Sequence, residues 1–324
     1  MKTTLTHGLS RRGFLLSSAG LAASAAFPLR GLFAQAAQAA APPSFVDQAR
    51  ATAAKAKITS QSLRGGVSVL MGSGGNIGVL PGKDGKVLVD SGYSTSKPQL
   101  LQALAAISSD PMTMLINTHW HFDHTDGNEW MHAAGATIIA QEKTKERLST
   151  PQDIAAFHVH LDPAPAGAIP ARTFASTQTL KANGETIVLT HYDPAHTDTD
   201  ASVLFTNANV LHAGDTWFNG FYPFIDYSSG GNIDGMIHAS EKNLATASAD
   251  TIIIPGHGPV GNKAQLSEFH DMLVGVRAKV AAAKQQGKDV DATIAAQPTA
   301  AYDAKFGKGF LTPDVFVRLV YQGV

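Results

Sequence analysis

The sequence contains no cysteine, and this absence narrows the kinds of site that the chain can build. Without cysteine there is no disulfide and no thiolate, either as a nucleophile or as a metal ligand. Any metal site must therefore consist of histidine and carboxylate side chains. The absence of cysteine also fits a periplasmic protein that uses no disulfides.

The chain also lacks an excess of charge of either sign, since 25 lysines and arginines stand against 26 aspartates and glutamates. A positive field is what holds a phosphate backbone, so the composition argues against a nucleic acid partner. Hydrophobic residues occupy 44% of the 324 positions, which is enough for a sizeable core. The composition therefore predicts a globular protein.

No acidic residue precedes Asp47, and the segment before it has the pattern of an export signal. Arg11 and Arg12 precede a modestly apolar, alanine-rich run that ends near Phe27. A membrane anchor needs roughly 20 strongly apolar residues. This run is shorter and diluted with serine, glycine and alanine, so a cleaved signal is favoured over a stable membrane anchor.

The phrase "SRRGFLL" resembles the twin-arginine signal, which directs folded proteins across the bacterial inner membrane. The resemblance implies the twin-arginine export machinery as a partner, a periplasmic location, and metal loading before export. Cleavage motifs in "AQAAQAAAPP" predict that the mature chain begins between residues 37 and 42. We therefore expect a cleaved signal over residues 1–39, a linker or loose helix over 40–64, and one large domain with C-terminal helices over 65–324.

Short β-branched runs separated by glycine and proline begin at Gly65. "GVSVLM", "NIGVL" and "KVLVD" predict antiparallel hairpins, and "MTMLINT" and "ATIIA" continue as strands between helices. A second series with "ETIVLTHY", "SVLFT", "NVLHAGD" and "TIIIPGHG" as strands echoes the first. Together they predict an α+β fold, a four-layer αββα sandwich of two mixed sheets flanked by helices.

Three histidines and an aspartate fall within six residues in the stretch "NTHWHFDHTDGNEW". His119 and His121 are two apart, so on an extended strand end both rings face the same side and can bind one ion. Asp123 and His124 follow, displaced by a bend, where they could serve a second ion. The stretch alone is insufficient for two complete sites.

Three later residues can complete the sites, because each lies at a strand end or loop beside glycine or proline. His196 lies in the loop "PAHTDTD", where proline excludes a long regular element. Asp215 ends the strand "NVLHAGD", and the glycine before it allows close approach of the backbone to a metal. His257 lies inside a Gly-His-Gly triplet that favours a tight turn. Zinc suits this donor set, with iron or manganese as alternatives.

The remaining histidines are interpreted as side chains with a hydrogen-bond partner instead of ligands. His212 is three residues from Asp215 on a strand, so the two side chains point to opposite faces. A core or supporting position is therefore expected for His212. The other histidines assigned this role are His132, His158, His160, His191, His238 and His270.

"THWHFDH" resembles the H-x-H-x-D-H signature of the metallo-β-lactamase superfamily, and "LVDSG", "AHTDTD", "HAGDTWF" and "IIPGHGP" follow the order of that family's motifs. The similarity extends over about residues 65 to 261. It implies the αββα fold and two zinc ions per chain. The implied ligands are His119, His121 and His196 for one ion, Asp123, His124 and His257 for the other, and Asp215 as the bridge. The bridging carboxylate is closer to glyoxalase II, the lactonases and RNase Z than to the β-lactamases.

Two dications that share a water lower its pKa to about 7 or below, so hydroxide is available at neutral pH. We therefore predict a metal-dependent hydrolase in which a metal-bridging hydroxide, oriented by Asp123 as the catalytic carboxylate, attacks a small carbonyl substrate. That substrate would be a β-lactam, lactone, ester or thioester. The alternatives are a phosphodiesterase, a mononuclear-iron oxygenase of the same fold, and a binding protein that has lost catalysis. The complete ligand set argues against the last.

Aromatic residues lie beside the ligands in sequence, and about half of them are expected simply to pack the loops. The others could line an apolar pocket, which favours a compact, partly hydrophobic substrate. Trp120 and Phe122 separate the clustered ligands, and their side chains are expected to turn away from the metals. No cluster of lysine or arginine in the loops suits a glutathione carboxylate. The candidate pocket residues are Trp120, Trp217, Phe218, Phe221 and Tyr222.

Overall fold

Two mixed β-sheets form the centre of the protein in a computed structural model that describes residues 43–324 as one compact unit. The strands are β1 Thr59–Ser62, β2 Ser68–Met71, β3 Ile77–Leu80, β4 Lys86–Val89, β5 Met112–Ile116, β6 Thr137–Gln141, β7 Gln152–Ile154, β8 Val159–Leu161, β9 Arg172–Phe174, β10 Thr177–Ala182, β11 Glu185–His191, β12 Ala201–Phe205, β13 Val210–His212, β14 Ile252–Ile254 and β15 Gly261–Asn262. The predicted signal over residues 1–39 lies outside the described residues.

Ten α-helices accompany the sheets in the described part of the chain. They are α1 Phe45–Ala53, α2 Lys97–Ile107, α3 Phe122–Thr125, α4 Asn128–Ala133, α5 Glu142–Leu148, α6 Ile233–Thr246, α7 Lys263–Gln285, α8 Val290–Ala295, α9 Asp303–Phe306 and α10 Pro313–Gln322. Among residues 43–324, no helix combines the length and apolarity needed to cross a membrane.

The first sheet has the strand order β1-β2-β3-β4-β5-β6-β9, and the second has the order β10-β11-β12-β13-β14-β15. Strands β1, β2, β3 and β4 pair antiparallel in succession, and so do β10, β11, β12 and β13. The pairs β4–β5, β5–β6, β6–β9 and β13–β14 are parallel. Strands β7 and β8 form a separate hairpin. The parallel pairs matter for function, because parallel strands end at the same edge of a sheet.

The fold has four layers, two central sheets with helices on the outer face of each, and an apolar cluster lies between each pair of adjacent layers. Val89 and Ile116 of the first sheet pack against Val203 and Phe205 of the second, which forms the core between the sheets. The outer face of the first sheet packs against α2, and the outer face of the second packs against α6, α7 and α10. Strand β11 alternates buried and half-buried residues, as expected for a strand with one face in a core. The predicted α+β sandwich is confirmed.

Residues 43–64, the described part of the segment expected to be a linker or loose helix, contain helix α1 and strand β1. Helix α1 begins with a capping box, in which Ser44 and Asp47 each satisfy a backbone N–H of the other. Strand β1 pairs along its whole length with β2. Every side chain of β1 is exposed, so the strand carries no apolar pattern and depends on backbone hydrogen bonds that a hydrophobicity argument does not detect.

Candidate metal centre

The clustered histidines lie in a loop and not on the extended strand end that their spacing predicts. His119 and His121 lie in the loop between β5 and α3, and α3 then carries Asp123 and His124. The bend of this loop nevertheless brings the rings of His119 and His121 to a centroid distance of 5.0 Å. A short loop leading into a helical turn thus directs all four side chains to one place.

His119, His121 and His196 form the first group of potential ligands, with one ligand atom from each within 4.8 Å of the others. Nδ1 of His121 is 2.8 Å from Nε2 of His196. His196 comes from the loop between β11 and β12, so it reaches this group from the second sheet. All three residues are buried.

The other ring nitrogen of each of these histidines has a partner in the protein. Such partners fix the tautomer and the orientation of a ligating ring. Nδ1 of His119 is 3.0 Å from Oγ1 of Thr118, Nε2 of His121 is 3.0 Å from Oδ2 of Asp226, and Nδ1 of His196 is 2.8 Å from the carbonyl oxygen of Phe224.

Asp123, His124 and His257 form a second group. Nε2 of His257 is 3.2 Å from Oδ2 of Asp123 and 3.4 Å from Nε2 of His124. The opposite nitrogen of His124, Nδ1, is 2.8 Å from Oδ2 of Asp90. His257 follows β14 and keeps 27% of its side chain exposed, so this group lies nearer to solvent than the first.

Asp215 lies between the two groups and also forms a third group with His119 and His124. Its Oδ1 is 3.1 Å from Nε2 of His124, and its Oδ2 is 3.4 Å from Nε2 of both His196 and His257. One carboxylate thus contacts residues of both groups. This is the position expected of a bridging ligand.

Two further observations show that the site fits bound metal ions. Nε2 of His119 is buried and has no hydrogen-bond partner among the described residues, although it points toward the cluster. A Cβ atom on Gly75 would lie 2.1 Å from the His124 ring, and one on Gly256 would lie 1.9 Å from Oδ1 of Asp215. The backbone therefore lies close to the ligand atoms, and the imidazole and carboxylate donors suit borderline metals.

The pKa values of the cluster follow from burial and from opposite charges. Burial lowers the pKa of His196 to about 4, so its imidazole is neutral at physiological pH. Burial also opposes the charged form of His257, but Asp215 and Asp123 outweigh it and raise the pKa to about 9. For Asp123 the burial effect is outweighed by His124 and His257, and its pKa falls to about 2. The carboxylates are therefore ionised and ready to bind a cation.

Asp90 and Asp226 are supporting residues that the sequence analysis did not assign. Asp90 has a φ of 65°, which is unusual outside glycine. Its carboxylate accepts hydrogen bonds from the backbone N–H and the hydroxyl of Thr118 and contacts His124. The motif "LVDSG" contains Asp90 and could have drawn attention to it. Asp226 lies in the long loop after β13, where no local pattern distinguishes it.

A cavity of about 560 Å³ opens beside the centre. Phe218, Phe221 and Tyr222 line it, and so does Phe122, whose side chain is expected from the sequence to turn away. Trp120 and Trp217 do not line it. Both tryptophans are buried in the apolar cluster on the outer side of the second sheet.

The other described histidines lie outside the three groups of potential metal ligands, and most have a hydrogen-bond partner in the protein. Nε2 of His212 is 3.0 Å from the carbonyl oxygen of Asn76, which suits the predicted core position. Partners are also present for His132, His160, His191 and His270. Among residues 43–324, none of these histidines belongs to a group that could hold a metal.

Residues 70–257, more than half of the chain, match the family model described as the metallo-beta-lactamase superfamily. The chain belongs to the metallo-beta-lactamase superfamily. A hydroxyacylglutathione hydrolase of Polaromonas sp. is 28% identical over 163 residues, which cover 49% of this chain and 54% of that protein. A probable metallo-hydrolase of Methanocaldococcus jannaschii is 27% identical over 187 residues, 56% of this chain and 86% of that protein.

Two solved structures share the fold at low sequence identity. A metallo-beta-lactamase from Pontibacter korlensis has a TM-score of 0.56 and 19% identity, and covers 68% of this chain and 99% of its own. The stereoselective inverting sec-alkylsulfatase from Pseudomonas sp. has a TM-score of 0.60 and 14% identity, with 82% of this chain and 50% of its own covered. The chain spans about half the length of the Polaromonas relative. Superfamily membership and these relatives support a metal-dependent hydrolase.

Proposed function

We propose that the protein is an exported di-zinc hydrolase of a small carbonyl substrate such as a β-lactam, lactone, ester or thioester. The observation that carries the proposal is the position of Asp215 between two histidine-containing groups of potential ligands. A single ion would need only one of these groups. His119, His121 and His196 would hold one ion, Asp123, His124 and His257 the other, and Asp215 would contact both.

Two zinc ions held there would supply Lewis acidity and a water of lowered pKa. The roles of the protein side chains follow from their surroundings. Asp123 is ionised, lines the cavity and is 18% exposed, so its carboxylate can accept a hydrogen bond from the attacking water and orient it. Asp226 and Asp90 hold His121 and His124 in position. In the described part of the chain, no cysteine is present to act as a nucleophile.

The cavity lining argues against a substrate of the glutathione type, although one relative bears the name hydroxyacylglutathione hydrolase. Among the described residues, no lysine or arginine lines the cavity. The carboxylates of glutathione would lack the charge-assisted hydrogen bonds that usually recognise such groups. Lactones and esters without a carboxylate thus remain the better candidates.

Metal counting on the purified mature chain, followed by cephalosporin, lactone, thioester and bis-aryl phosphate substrates, tests this proposal. We expect two zinc ions per chain and turnover of a carbonyl substrate. Asp215→Ala should lose one ion and most activity. Asp271 has a side chain that is 70% exposed, and Asp271→Ala should retain both ions and full activity. One iron per chain with oxygen consumption would instead indicate an oxygenase, and cleavage of only the phosphate would indicate a phosphodiesterase.

We also propose periplasmic export by the twin-arginine machinery, on the basis of Arg11 and Arg12 before the apolar run. Replacement of both arginines by lysine preserves the charge and should retain the chain in the cytoplasm. Cell fractionation of a bacterial host that has the machinery measures this. Unchanged periplasmic yield of the double variant would contradict the assignment of this route.

A further inference from the structure

Three phenylalanines from distant parts of the chain meet at the cavity. Phe45 opens helix α1, Phe157 follows β7, and Phe310 lies between α9 and α10. The rings of Phe45 and Phe157 stack with centroids 4.9 Å apart, and Phe310 is 5.9 Å from Phe45 and 5.4 Å from Phe157. We call these three residues the aromatic mouth. Phe310 is 63% exposed, so the aromatic mouth reaches the solvent.

The aromatic mouth is continuous with the metal centre. Phe157 contacts Phe224 at a centroid distance of 4.6 Å, and Phe224 stacks on the His121 ring at 6.0 Å. On the other side, Phe45 contacts Phe122, which directly precedes Asp123 in α3. An apolar surface thus extends from the predicted ligands to the exterior.

Helix α1 forms one wall of this cavity and is held firmly in place. Arg50 donates to both carboxylate oxygens of Asp126, and Asp126 also accepts from the backbone N–H of Ser94 at 2.8 Å. The hydroxyl of Ser96 donates to the carbonyl oxygen of Ala53 at 2.9 Å. The wall is therefore preformed, which reduces the entropic cost of binding a substrate.

The charges in the cavity lie only at the predicted metal centre. Among the described lining residues, the acidic and basic side chains are the five predicted ligands His121, Asp123, His196, Asp215 and His257. The rest of the lining consists mainly of aromatic rings and small residues. A charged group at the far end of a substrate would lose water without gaining a partner, which is costly.

We propose that this cavity selects substrates with an apolar, uncharged acyl chain, and that Phe45, Phe157 and Phe310 are the specificity-determining residues. This inference rests on the proposed hydrolase function. The reactive carbonyl would lie at the metal centre, while the acyl chain would extend along the apolar lining toward the aromatic mouth. A carboxylate at the chain end would be rejected.

The first test compares p-nitrophenyl esters from acetate to decanoate on the zinc-loaded chain. Burial of each methylene should lower KM by up to about fourfold until the cavity is filled, with little change in kcat. p-Nitrophenyl hexanoate should also exceed mono-p-nitrophenyl adipate, its carboxylate-ended counterpart, at least tenfold in kcat/KM. Equal efficiency for acetate and decanoate, or preference for the adipate ester, would overturn the inference.

The second test uses variants of the mouth. Phe310→Ala and Phe157→Ala should raise KM for decanoate three- to tenfold, a larger change than for acetate. Leu101→Ala is the matched control, because Leu101 is an exposed apolar residue outside the cavity. Gln48→Lys places a cation in the α1 wall and should increase kcat/KM for the adipate ester. Unchanged chain-length dependence in all mouth variants would exclude their role.

Binding of the neutral dye Nile red separates this inference from the proposed function. We expect dye fluorescence to rise on binding, to fall on competition with methyl decanoate but not methyl acetate, and to weaken in Phe157→Ala and Phe310→Ala. That result without hydrolysis of any β-lactam, lactone, ester or thioester would refute the proposed hydrolase while retaining the apolar acyl site. Hydrolysis without dye binding or chain-length preference would retain the hydrolase and refute the acyl site.

Discussion

Each imidazole of the first group of predicted ligands is oriented by a partner that is not itself a predicted ligand. Asp226 illustrates the arrangement, because its Oδ2 contacts Nε2 of His121 and also accepts from the hydroxyl of Ser229. Burial would raise the pKa of Asp226, but the hydrogen bond and charge of His121 hold that pKa well below its usual range. An ionised carboxylate behind the ring directs Nδ1 of His121 toward His196.

Asp226→Asn removes this charge and keeps the shape of the side chain. We expect zinc affinity to fall by about tenfold to a hundredfold, because the amide supports the imidazole less strongly. Competition with a fluorescent zinc chelator measures the change, and Asp271→Asn serves as a surface control. At saturating zinc the variant should still bind two ions. Wild-type affinity in Asp226→Asn would mean that loop packing alone orients His121.

The seven predicted ligands could be found from sequence because their local surroundings carry a signal. His119, His121, Asp123 and His124 form one cluster after a strand, whereas His196, Asp215 and His257 each lie at a strand end or in a loop close to glycine or proline. The supporting residues could not be found in the same way. Asp226 and His121 are 105 positions apart, and no local pattern joins them. Their contact depends on the path of the long loop after β13.

At the level of elements, apolar runs in the sequence predict β2 to β6 and β11 to β14, whereas polar or short elements carry no such pattern. Helix α1 was only suspected, and its contribution to the cavity depends on the tertiary contact between Arg50 and Asp126. Trp120 and Trp217 were assigned to the pocket from sequence proximity. Proximity does not fix the direction of a side chain in a bent loop, and both rings instead entered the core.

At the level of the whole molecule, the candidate metal centre lies where the two sheets meet. His119, His121 and His124 follow β5 of the first sheet, whereas His196, Asp215 and His257 follow strands of the second sheet. Bound ions would therefore join the two halves of the sandwich. Asp215 of the second half lies there 3.1 Å from His124 of the first half and 3.4 Å from His257 of the second.

Metal removal should therefore lower thermal stability as well as abolish activity. An ion present at a thousandfold excess over its Kd stabilises the folded state by about 4 kcal/mol. For a domain of this size that corresponds to a rise of roughly 7 °C in Tm. We expect chelation to lower Tm by this amount and zinc to restore it, as measured by circular dichroism.

Asp215→Ala should show a smaller zinc-dependent rise in Tm. The variant retains the first group of predicted ligands but loses the carboxylate that contacts both groups. Asp271→Ala should respond to zinc as the wild type does, which controls for the loss of a carboxylate as such. An unchanged Tm after verified metal removal would contradict the expected coupling. The apolar core between the sheets, including Val89, Ile116, Val203 and Ile254, would then hold the two halves together without a contribution from the metal centre.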